Sequence, residues 1–80
     1  MLYMVIEKFK MGNKDKVYKR LKNRGRMLPT GLFYLNSWLE FKGNRCFQLM
    51  ETDKEYLFDE WIKEWEDLVD FEIIPIEEKL

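Results

Sequence analysis

The stretch that most constrains this chain is Leu2-Tyr3-Met4-Val5-Ile6-Glu7-Lys8-Phe9, because once extended it is largely apolar on both sides. Successive side chains of a strand point to opposite faces, so Tyr3, Val5 and Phe9 project one way and Leu2, Met4 and Ile6 the other. Its β-branched and aromatic content favours a strand, and Met11-Gly12-Asn13 closes it. A strand of this kind predicts a central position in a sheet covered by one layer on each side. The chain's own helices can supply one layer. The second face is too apolar to leave in water and calls for a ligand or another subunit.

The remaining elements follow from local signals. Asn13 is placed to cap a helix over residues 14–24, where Val17, Tyr18 and Leu21 recur at helical spacing and Gly25 offers a left-handed stop. After the loop Met27-Leu28-Pro29-Thr30-Gly31, residues 32–41 and 45–51 read as two strands. Lys42-Gly43-Asn44 between them suits a tight hairpin, since Gly and Asn tolerate positive φ. Thr52-Asp53-Lys54-Glu55 has the form of a capping box. It precedes a stripe of Leu57, Phe58, Trp61, Ile62, Trp65 and Leu68, which predicts a second helix with its charged residues opposite. A last strand over 69–76 carries Pro75, which is tolerable on an edge or at a strand end. The order βαββαβ predicts one α+β domain over residues 1–80. Its ferredoxin-like, four-stranded antiparallel sheet has both helices on one face, with the first and third strands central.

Length and composition say how such a domain can be stable. At 80 residues a single core gives a narrow margin, which disulfides, metals or oligomerisation usually supplement. Cys46 is the only cysteine and histidine is absent, so neither an internal disulfide nor a Cys/His zinc cluster can form. A partner subunit is the remaining supplement, and a homodimer through the open sheet face is expected. The apolar opening reaches Glu7 and Lys8 too soon for a signal peptide, and no run approaches the ~20 residues of a membrane span. With a free cysteine as well, a cytoplasmic location is predicted.

Several stretches resemble a family of short, uncharacterised bacterial domains related in fold to the dimeric α+β barrel proteins. They are Met1 through Glu7, Arg24 through Gly31, Ser37-Trp38, Arg45 through Glu51, and Trp61 through Ile76. The resemblance implies a fold and a dimer but carries no activity. The wider superfamily includes cofactor-free monooxygenases, haem-handling proteins and isomerases that use the space between sheet and helices. This chain lacks the histidine of the haem-degrading members. No cofactor and no metal is expected.

Candidate chemistry gathers at one end of the sheet. Antiparallel pairing brings Glu7, Arg45 and Asp70 near one another, with Trp38 close by. In a cavity, Arg45 could hold a substrate carboxylate while Glu7 moves a proton, as in a cofactor-free oxygenase or isomerase acting on a small aromatic or keto acid. The bland counterpart is a Glu7–Arg45 ion pair tying two strands together. Asn36, Trp38, Arg45 and Gln48 form the expected ligand-binding set for a small apolar or acidic molecule. Cys46 on a central strand is a small buried residue rather than a nucleophile, with no His to activate it. Trp61 and Trp65, one turn apart, are expected in the core.

Charge is divided along the chain. Residues 1–45 hold 11 Lys/Arg and 3 Asp/Glu, whereas residues 46–80 hold 3 and 12. Lys14, Lys16, Lys19, Arg20, Lys22, Arg24 and Arg26 could build an anion or nucleic-acid site, but two helices side by side can complement each other in this way, and the net charge of −1 gives little support to a polyanion partner. An RNA platform of Tyr3 and Phe47 on the central strands is the weak alternative, since the third strand lacks the Gly-Phe-Gly-Phe core of such motifs.

Overall fold

The computed structural model describes residues 1–79. The elements are β1 (Leu2–Phe9), α1 (Lys14–Arg24), β2 (Phe33–Leu39), β3 (Arg45–Glu51), α2 (Leu57–Ile62) and β4 (Val69–Ile76). The four strands form one antiparallel sheet in the order β2-β3-β1-β4, the ferredoxin-like arrangement with β1 and β3 central. β4 is an edge strand, and Pro75 faces Tyr3 from it without needing to donate outward.

The two faces of the sheet follow from register. On one side lie Tyr3, Val5 and Phe9 of β1, with Gln48 and Met50 of β3. The helices close over this side: the Phe58 ring meets Tyr3 edge-on at 4.9 Å, Trp61 meets Phe71 at 5.2 Å, and Tyr18 lies 6.2 Å from Phe9. Val5 and Met50 are wholly buried there. On the other side, three cross-sheet rows carry apolar side chains: Phe33, Leu2 and Ile76; Leu49, Met4 and Ile74; Trp38, Phe47 and Ile6. No element among the described residues covers them.

Several local expectations change, among them β2, which spans Phe33–Leu39 rather than 32–41. Thr52 does not build a capping box. Its hydroxyl donates to the Gly31 carbonyl at 2.8 Å and accepts from the Lys54 amide at 3.1 Å, tying the end of β3 to the loop before β2. The second helix is correspondingly short. After Ile62 the chain continues to Leu68 in successive turns, with Glu64 N–H bonded to Trp61 O and Leu68 N–H to Trp65 O, three residues back in each case. These turns, which also include the four-back bonds Glu66 N–H to Ile62 O and Val69 N–H to Trp65 O, keep Trp61, Trp65 and Leu68 on the buried side although continuous α-helical bonding has ended. In the β2–β3 hairpin the positive φ falls on Lys42 (55°), and Glu40 reaches over Gly43, where a side chain would collide with it, to pair with Arg45.

α1 has the expected bounds, and Gly25 ends it with a positive φ (68°) but an extended ψ (−165°) rather than the expected left-handed turn, a conformation open to glycine, with its N–H bonded to Leu21 O at 2.8 Å. Asn13 makes no side-chain cap bond. The division of charge does join the two helical regions: Arg20 grips both oxygens of Asp67 at 2.8 and 2.7 Å and donates to the Glu64 carbonyl at 2.9 Å. Lys10 donates similarly to the Glu66 carbonyl at 2.7 Å. No helix among the described residues is long and apolar enough to cross a membrane.

Candidate functional site

At one end of the helix-covered side the core does not fill. A cavity of about 290 Å³ lies between the sheet and α1. Its floor is Leu39, Cys46 and Glu7 of one cross-sheet row, Ser37 and Gln48 of the next, and Phe9 and Val69 where β1 meets β4. Its roof is Val17, Tyr18 and Leu21 of α1, and Trp61, Trp65 and Arg26 close the remaining wall. Tyr18 and Leu39, 44% and 45% exposed, mark the mouth between α1 and the β2 edge.

The polar groups in this wall divide into spent and available ones. Both indole N–H groups, of Trp61 and Trp65, donate to the Arg26 carbonyl at 3.0 and 3.1 Å, so the tryptophans present aromatic surface to the cavity. That shared acceptor also fixes the backbone of Arg26. The Arg26 guanidinium stacks on the Tyr34 ring, 3.5 Å from its centroid, and among the described residues no carboxylate lies within ion-pair distance of it. Ser37 and Tyr34 hydroxyls share a 2.6 Å hydrogen bond, and the Gln48 amide donates to Met50 Sδ at 3.3 Å.

Glu7 is the one carboxyl group in the wall. Burial pushes it up to about 7, while the Cys46 thiol and the positive Arg26 guanidinium pull it down without cancelling that effect. The Cys46 thiol is pushed up to about 11, first by burial and then by the charge of Glu7. It therefore stays protonated at neutral pH and serves as a polar floor rather than a nucleophile. The cavity thus holds a carboxyl able to gain or lose a proton near neutrality and an unneutralised cation, set among aromatic walls. No cluster of three or more Cys, Asp or Glu among the described residues is arranged to hold a metal ion.

The expected site residues do not all meet. Glu7 and Gln48 line the cavity, but Arg45, Trp38 and Asn36 lie on the opposite face of the sheet. Arg45 stands across from Lys8, one residue out of phase with Glu7, and its guanidinium pairs with Glu40 at 2.9 and 3.1 Å instead of with Glu7. It borders a more open depression with Lys8, Asp70 and Glu72. A β-bulge between Tyr34 and Asn36 reverses the alternation of β2, so Ser37 turns to the cavity while Asn36 and Trp38 turn outward. Tyr3 is buried against Phe58 and Phe47 lies on the other side of the sheet, so the two cannot form one base-stacking platform. Tyr18 is not among the expected site residues, and Arg26 is expected only within the basic group of a candidate anion site, not in this wall. Tyr18 belonged to the helical stripe Val17-Tyr18-Leu21, whereas Arg26 sits in a loop whose placement rests on the two distant tryptophans.

Fold and cavity together define a ferredoxin-like α+β domain with an internal pocket between its sheet and first helix. The chain belongs to the DUF3303 family, described as a domain of unknown function, whose model matches residues 1–78. Neither the curated proteins nor the solved structures contain a match to it.

Proposed function

We propose that this domain is a homodimeric α+β barrel module that binds one small molecule per subunit in the cavity beneath α1. The observation that carries the reading is the cavity itself: a concave, mostly apolar space with aromatic side chains in its lining, into which a few polar groups, Glu7 and Arg26 foremost, converge. The dimer is supported by the nine apolar side chains of the open face and by the charges at their border. Arg45 and Lys8 lie toward one side of that border, Asp70 and Glu72 toward the other. A two-fold axis lying in the interface along the central strands sets the basic side of one copy over the acidic side of the other. A light-scattering mass of one subunit that persists at high protein concentration would remove the dimer. Absence of binding by every member of a small-fragment library would leave only an assembly role.

A second reading is favoured by Glu7. A carboxyl poised near neutrality beside an unpaired guanidinium can, as the carboxylate, take a proton from a bound carbon acid and return it without a cofactor, as an isomerase or oxygenase acting on a small aromatic or keto acid requires. Arg26 takes over the substrate-holding role expected of Arg45. Proton–deuterium exchange into a bound keto acid, present in the wild type and lost in Glu7→Gln, is the expected signature. Equal exchange in both proteins would end this reading.

A further inference from the structure

The cavity's size, charge and walls restrict what it can hold, granted the reading that it binds a small molecule at all. At about 290 Å³ it lies at the lower end of the roughly 300–1,000 Å³ usual for ligand pockets, room for a single ring with one substituent. Trp61 and Trp65 contribute aromatic surface rather than donors, since their N–H groups are already engaged, and Tyr18 adds a third ring to the lining. The available polar groups are a fixed guanidinium, whose charge no described carboxylate neutralises, and one carboxyl group.

We propose that the cavity takes a single-ring aromatic monoanion of the benzoate type, with its charge on the Arg26 guanidinium, an acceptor oxygen on the Glu7 carboxyl, and its ring between Trp61, Trp65 and Tyr18. When Glu7 carries its proton the site bears one net positive charge and Glu7 donates a hydrogen bond to the ligand. When Glu7 is ionised the site is neutral and two carboxylates would face each other. The groups that face Glu7 are Cys46 from β3, Arg26 from the loop and Tyr18 from α1. Of these, Cys46 and Tyr18 are both displaced upward by burial, away from neutrality, so Glu7 is the group that switches. Binding of the anion is therefore coupled to uptake of a proton. If only the protonated site binds, the apparent affinity falls about tenfold between pH 6 and pH 8, in proportion to the competent fraction.

The test is calorimetric titration of the whole chain with benzoate, benzamide and benzylamine at pH 6 and pH 8. Benzoate should bind most tightly at pH 6, at least about tenfold better than the isosteric benzamide, and about tenfold more weakly at pH 8. Glu7→Gln should bind benzoate equally at both pH values, and Arg26→Gln should lose the preference for benzoate over benzamide. The wild-type pH dependence stands as a test even if a variant folds poorly. Benzamide or benzylamine binding as tightly as benzoate, or benzoate binding that ignores pH, would overturn the ligand class while leaving the binding cavity in place. No heat from any of the three at millimolar concentration would overturn both.

Discussion

The two faces of the sheet are built from the same strands, and often from adjacent residues, yet they meet different fates. Under the helices, Tyr3, Val5 and Phe9 are sealed by Phe58, Trp61 and Trp65, and the core stops short only around Glu7. On the open face, Leu2, Met4 and Ile6 sit among Leu49, Phe47, Trp38 and Ile74 with no layer over them among the described residues. The contrast teaches that a strand apolar on both sides requires two covering layers but does not say that one chain provides both. One face has a finished core with a hole; the other has the makings of an interface.

The comparison can be broken most severely at its tryptophans. Trp61 is 2% exposed and holds the Arg26 carbonyl, so Trp61→Ala should cost about 3–5 kcal/mol in denaturant unfolding. Trp38 is half exposed, and Trp38→Ala should change the stability of the isolated subunit by no more than about 0.5 kcal/mol, measured where the chain is dilute. Similar costs at the two positions would mean that the faces have been misassigned.

Glu7 gives an effect of nearly the same size that depends on pH. Below about 4.5 the carboxyl is protonated whether the chain is folded or not. Between that value and about 7 only the unfolded chain ionises, so wild-type stability should fall as pH rises across this window, by on the order of 3 kcal/mol in all. Above about 7 the penalty is constant. Glu7→Gln should abolish the slope and be the more stable protein at pH 8, as denaturant titrations at several pH values would show.

The open face should respond through association instead. Met4 lies mid-row between Leu49 and Ile74, and Met4→Lys should weaken dimerisation at least about a hundredfold in sedimentation equilibrium while leaving benzoate binding intact. The smallest effect is expected at the Arg20–Asp67 pair that fastens α1. Asp67 is held down to about 2 by Arg20, so the stability it adds is present above its ordinary value near 3.8 and is lost as pH falls through about 2. Asp67→Asn should therefore be less stable than the wild type at pH 5, and the two should converge near pH 2.

Much of this architecture could be read from local chemistry. Gly25 stops α1 because a positive φ is needed there, and Pro75 belongs on an edge because it cannot donate. The bounds of β1, β3, α1 and β4 follow from such signals. The apolar spacing from Leu57 to Leu68 suggests a longer helix than forms, because it persists through turns whose three-back and four-back bonds alternate, and the Thr52 hydroxyl serves Gly31 instead of a capping box. The site was half legible. Glu7 shares the parity of Tyr3, Val5 and Phe9, which already placed it under the helices. Arg45 was grouped with it by distance along the sheet, but which face Arg45 takes depends on cross-strand register, and Glu7 stands opposite Cys46. The bulge that turns Asn36 and Trp38 outward has no glycine or proline to announce it. Arg26 enters through the fold alone, since its carbonyl is set by two indoles 35 and 39 residues away.

Trp61 and Trp65 report on the cavity and Trp38 on the open face, so the three indole N–H resonances read both sides of the sheet in one spectrum. Titrating benzoate at pH 6 should shift the Trp61 and Trp65 signals and leave Trp38 in place, whereas diluting the protein without ligand should move Trp38 and leave the other two. Benzoate acting on Trp38, or dilution acting on Trp61 and Trp65, would contradict the division of ligand and partner between the two faces.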